Sequence, residues 1–204
     1  MPIVDEFITA ISLAEEHVRK VMNVSSIYVF RTWGKNVLGH GMFVFQPSLG
    51  ARRPTSVSIY LLSNGSLVYV LSISRTVLER YINVRQDKPV IVLLLDFYNP
   101  PCVTSMIPVC SLAELLERAF PELANLDKLA QIYRETQCCI EVSDYPADYA
   151  YLIFSSSSLD PRRIALYVVA LCVAKLVLEG EINPRKAAQV IDKLEEVQVP
   201  QPVE

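Results

Sequence analysis

One hairpin constrains the fold of this chain more than any other stretch. Residues 55–62 and 67–73 are rich in β-branched and aromatic side chains, and they flank Ser63-Asn64-Gly65-Ser66. Asn-Gly between two such runs is the strongest short-range hairpin signal, and it predicts a type I′ turn with φ > 0 at both central positions. The second strand runs into Ser74-Arg75-Thr76, followed by a helix-like segment over 77–82. Hydroxyls and a guanidinium where a strand gives way to a helix suit an anion, because free backbone N–H groups and the helix dipole favour negative charge there. Helix capping by Ser74 or Thr76, with Arg75 in solvent, is the competing reading.

Similar patterns recur on both sides of the hairpin. Val4, Phe7, Ile8, Ile11, Ala14, Val18 and Met22 fall at three- and four-residue steps and predict an amphipathic helix over 4–22. Residues 25–33 and 40–46 read as a second strand pair turned by Gly34-Lys35-Asn36, and 47–54 as a loop. The continuous apolar run 89–95 suits a strand covered on both faces. Another short strand is expected over 102–109, then helices over 111–120, opened by Ser-x-x-Glu, and over 125–135. Strands at 138–142 and 149–154 follow. Asp160-Pro161 starts a helix that stops at Gly180, and Asn183-Pro184 opens a last one to about 197. Consecutive hairpins with short turns favour an antiparallel barrel or sandwich over a parallel sheet. There is no G-x-G-x-x-G motif and no P-loop.

Composition narrows the function classes. With 204 residues, 51% of them hydrophobic, the chain can bury a sizeable core. A net charge of −3 argues against a protein built to neutralise nucleic-acid phosphate. The first 21 residues carry acids among the apolar positions, unlike a signal peptide. The most apolar run, 164–178, contains Lys175 and is shorter than the ~20 residues of a membrane span. The expectation is a soluble, cytoplasmic protein. The five cysteines form no C-x-x-C pair, and with His17 and His40 as the only histidines they give no zinc spacing. No Ser/His/Asp order or paired acids argue hydrolysis, so no catalytic residue is assigned.

The order of elements resembles the FMN-binding split-barrel group, which includes pyridoxamine-phosphate-oxidase-like and flavin-reductase-like proteins. In particular it is similar to the archaeal DUF447-like proteins. The likeness is carried by Tyr28-Val29-Phe30-Arg31-Thr32, Gly41-Met42, Ser74-Arg75-Thr76, Leu93-Leu94-Leu95-Asp96, Cys139-Ile140-Glu141-Val142 and Arg162-Arg163-Ile164-Ala165. It covers roughly residues 26–180. The group's Asn soon after the turn and its Pro beside the second-strand glycine are absent here. The resemblance implies an α+β fold, an antiparallel split β-barrel with inserted helices and a C-terminal helical hairpin. The divisions would be an N-terminal helix over 1–24, the barrel domain over 25–158 and the hairpin over 159–199. It implies FMN as cofactor at a homodimer interface, with Ser74, Arg75 and Thr76 on the phosphate and Thr32 near the isoalloxazine ring.

Three further residues join that candidate site. Trp33, the only tryptophan, is placed to stack on a flavin or to close a dimer interface, and equally to fill the core. Arg53 in the loop before the hairpin is a second candidate for the phosphate. His40 lies between Gly39 and Gly41, and flanking glycines let a backbone approach a ligand closely. The alternative function is a cofactor-free, degenerate split barrel that serves as a structural or protein-interaction module.

Overall fold

The computed structural model describes residues 2–31, 37–46, 54–74, 76–77, 90–91, 103–108, 137–143, 149–183, 185–186, 189–190 and 193. Helix α1 (Pro2–Arg19) leads into strands β1 (Val24–Arg31), β2 (Val37–Phe45), β3 (Thr55–Leu62) and β4 (Leu67–Ser74). Strands β5 (Val90–Ile91), β6 (Val103–Pro108), β7 (Gln137–Ser143) and β8 (Tyr149–Ser156) follow, and helix α2 (Pro161–Leu178) comes after them. The strands make one sheet in the order β1-β2-β3-β4-β8-β7-β6-β5. Every described ladder is antiparallel. Among the described residues β1 and β5 form no ladder with each other, so the pairing is that of an open α+β sheet. The helices expected over 111–120 and 125–135 lie outside the described residues, as does most of the apolar run 89–95.

The hairpin forms where expected, with Leu61 opposite Leu67 and Ser58 opposite Val70, but its turn is not type I′. Gly65 has φ 85°, and no non-glycine residue among those described has positive φ. The Gly65 amide donates to the Leu62 carbonyl at 3.0 Å, and the Leu62 amide donates to the Ser66 carbonyl at 2.9 Å. These bonds define a three-residue loop, a type I turn closed by a left-handed glycine in a G1 bulge. Asn64 stays in ordinary φ space because its side-chain oxygen accepts from the Ser66 amide at 3.0 Å.

Strand alternation divides the sheet into two unlike faces. Gly39, Gly41, Phe43 and Phe45 of β2, Val57, Ile59 and Leu61 of β3, and Leu67, Tyr69, Leu71 and Ile73 of β4 are buried. Apart from the glycines, they share one core with α1 and α2. The helix α1 presents Val4, Phe7, Ala10, Ile11, Ala14 and Val18 to that core. Its approach is set by two glycines. A Cβ on Gly39 would lie 3.0 Å from two ring carbons of Phe7, and one on Gly41 would lie 3.4 Å from Ile11. Arg19 fixes the far end of α1, holding Glu15 at 2.6 Å and donating to the Val24 carbonyl at 2.7 Å.

Helix α2 is buried on nearly every side, as an apolar helix with no polar stripe must be. Asp160 caps it, accepting from the Arg162 amide at 3.0 Å, with Pro161 in the first turn. Its end is a Schellman motif. Gly180 has φ 69°, its amide reaches Val177 O at 3.1 Å, and the Glu181 amide reaches Leu176 O at 2.8 Å. The Asn183 side chain then accepts from the Lys186 amide at 2.9 Å, which caps the expected last helix. Cys172 sits fully buried inside α2, and burial pushes its thiol up to about 12. The expected strand and helix starts that can be compared fall within three residues of the observed ones.

Tyr69 is fully buried, edge-on to Tyr167 with ring centroids 5.4 Å apart. Its hydroxyl has no hydrogen-bond partner among the described residues. Burial, and then the neighbouring Tyr167, raise its pKa well above 10.

Two stability predictions come from this core. Gly39→Ala should cost about 1–3 kcal/mol in urea unfolding, since the new methyl overlaps the Phe7 ring. Adding Phe7→Leu should return part of that loss, and strict additivity of the two changes would refute the contact. Tyr69→Phe should raise stability by about 1 kcal/mol, because an unpaired buried hydroxyl is removed. A loss of that size would instead show that the hydroxyl has a partner.

Candidate functional site

The face of the sheet turned away from α1 and α2 carries the candidate site. Alternation places Tyr28 and Phe30 of β1, His40 of β2, Tyr60 of β3 and Val68 of β4 on it. Register then lines them up, since Phe30 pairs with His40, His40 with Tyr60, and Tyr60 with Val68. The His40 imidazole stacks on Tyr60, with centroids 4.4 Å apart and planes 4° from parallel. Phe30 tilts against His40 at 6.0 Å. Tyr28 lies parallel to Phe30 at 6.4 Å. A one-residue register shift between Val37 and Gly39 turns Val37 onto this face as well, where it joins Tyr60 and Val68 in a small second cluster.

The row is closed at one end and open at the other. Tyr60 and Val68 are 6% and 7% exposed, whereas Tyr28 and Phe30 are 46% and 49% exposed. His40 stands between. Its Nε2 is buried without a hydrogen-bond partner among the described residues. Burial lowers its pKa from 6.5, so the ring is neutral at pH 7 and offers one donor and one acceptor nitrogen. A planar group laid on Phe30 would meet ring faces below and a neutral imidazole edge beside it. Among the described residues no cluster of His, Cys, Asp or Glu could hold a metal ion.

The glycines beside His40 have a different role from the one expected. They point to the opposite face, where Phe7 and Ile11 fill the space their side chains would occupy. They admit a helix, and they open no approach to a ligand at His40. Arg31, at the end of β1, is ion-paired with Asp5 of α1 on the helix side.

The phosphate candidates are placed elsewhere. Ser74 ends β4, half-buried and opposite Tyr149, and Thr76 is exposed in the helical residues 76–77. From Val68, in the His40 row, to Ser74 is six residues of strand, about 20 Å at ~3.3 Å per residue. His40 and the Ser74 turn therefore lie at opposite ends of the sheet. Thr32, Trp33, Arg53 and Arg75 lie outside the described residues. The sequence alone does not mark Tyr28, Phe30 and Tyr60 as one surface. The signal was present in Tyr28-Val29-Phe30, an alternating pair of rings on one face, but the cross-strand partners depend on register.

Comparisons with family models, with curated proteins and with solved structures find no match. No helix among the described residues is long and apolar enough to cross a membrane.

The His40 environment makes stability depend on pH. As pH falls below about 6.5, the unfolded chain takes up a proton that native His40 resists, so stability present above that pH is lost on acidification. Urea midpoints measured near pH 7.5 and near pH 5.5 should drop more for the wild type than for His40→Phe. Equal drops would mean that burial of His40 is not linked to folding.

Proposed function

We propose that the protein is a binding module for a planar heteroaromatic ring, with the flavin of FMN as its ligand, held on the face of the sheet turned away from α1 and α2. The observation that carries this reading is the row Tyr28–Phe30–His40–Tyr60, covered at one end and half-open at the other. Aromatic faces stack on flat π systems, each contact contributing about 1–3 kcal/mol in comparable ring–base stacks. A neutral imidazole beside them can satisfy a ring nitrogen or carbonyl. A sheet curled into a split barrel would deepen this shelf, and Thr32 and Trp33 directly follow Arg31 in sequence. Any redox chemistry would come from the flavin, while the protein binds, orients and tunes it.

On this reading the ring is the recognised group, and the phosphate contributes little. FMN and riboflavin should then bind with similar affinity in a fluorescence-quenching titration. Phe30→Ala should weaken both by about tenfold or more, the loss of one stacking contact. Arg75→Ala should change neither. Binding that needs the phosphate and fails in Arg75→Ala would move the site to the Ser74-Arg75-Thr76 turn. If neither compound binds, the flavin reading falls.

A second reading, a cofactor-free interaction module, is favoured by a separate observation. β1 is an edge strand whose free side carries no ladder among the described residues.

A further inference from the structure

β1 begins the sheet order, and among the described residues it pairs only with β2 along its length. An edge strand presents a row of unpaired N–H and C=O groups that templates pairing with another strand. Proteins usually blunt such edges with lysine, proline, a central bulge or short length. β1 is eight residues long, and Ile27-Tyr28-Val29-Phe30 contains no charge, proline or glycine. Its one register shift sits at its start, between Val24 and Ser26, and leaves the rest of the edge straight. Three large hydrophobic side chains are exposed among the described residues, and two of them, Tyr28 and Phe30, belong to this strand.

We infer that β1 is the self-association edge of the protein, pairing antiparallel with β1 of a second copy about a two-fold axis through Val29. Two-fold antiparallel pairing keeps like faces together only when the axis passes through a residue, since a one-residue slip exchanges the faces. An axis through Val29 sets Tyr28 opposite the partner subunit's Phe30, and Phe30 opposite the partner subunit's Tyr28. Cross-strand aromatic pairs are among the contacts that stabilise sheets. Val29 meets its own copy on the helix-bearing face. The contact is isologous, as closed dimers require, and the strand supplies both halves of the match. The only charge on β1, Arg31, is already paired with Asp5, so the two edges do not repel.

Two copies joined in this way form one continuous sheet. The ring rows fuse across the axis into a single surface whose centre contains Tyr28 and Phe30 of both chains. The inference rests on strand order and edge composition, and it holds whether or not a flavin binds.

Sedimentation equilibrium of the full chain tests it. The wild type should sediment at twice the mass of one chain in the micromolar range. Tyr28→Lys and Phe30→Glu should each halve that mass with an unchanged far-UV circular dichroism spectrum. The double variant should regain the twofold mass at low salt, because each new ammonium faces the partner's new carboxylate, and lose it at high salt. A wild type at single-chain mass overturns the inference. So does a dimer indifferent to Tyr28→Lys, or a folded double variant that stays single. A dimeric wild type that leaves flavin free would overturn only the ligand reading, and a flavin-binding single chain only this one.

Discussion

The architecture depends on the seating of α1 in the trough that Gly39 and Gly41 leave in β2. Two missing side chains on one face of one strand let Phe7 and Ile11 sink against the sheet backbone. That contact decides which face of β1–β4 is core, because strand alternation propagates the choice through every ladder. With the helices on that face, α2 is enclosed among apolar side chains, which suits a helix that lacks a polar stripe. The opposite face is left to other uses. The ring row is there because its residues alternate with the core, one position out of phase with the glycines.

Local chemistry was the most legible part of the sequence. The Asp160-Pro161 start, the Gly180 stop and the Asn183 cap were all readable because each acts within a few residues of itself. The Asn64-Gly65 pair announced a hairpin correctly but misled on the turn. The Asn64 side chain bonds forward to Ser66, and only Gly65 adopts positive φ. In sequence Gly39 and Gly41 suggest room for a ligand, whereas they make room for a helix that begins nearly forty residues earlier. Nothing in the neighbourhood of His40 reports which face another segment will cover.

Register accounts for what was missed in the candidate site. His40 meets Tyr60 and Phe30 through the register of β2 with β3 and with β1. Register is a property of two strands together and is written in neither alone. The same geometry separates the candidates grouped as one flavin site. Ser74 and Thr76 belong to one end of the sheet and His40 to the other, although a linear motif order places them side by side. The sheet preserves motif order while pulling the motifs apart.

Strand order also has a temporal meaning. The first three strands each pair with the next in sequence, whereas the far side of β4 waits for β8. Between Ser74 and Tyr149 a ribosome adding ~5–20 residues per second needs about 4–15 s. Through that interval the nascent α1–β4 unit carries a second open edge and an inner face still lacking α2. Chaperone dependence during synthesis would therefore be concentrated in one window, which closes when β8 docks and α2 covers the inner face.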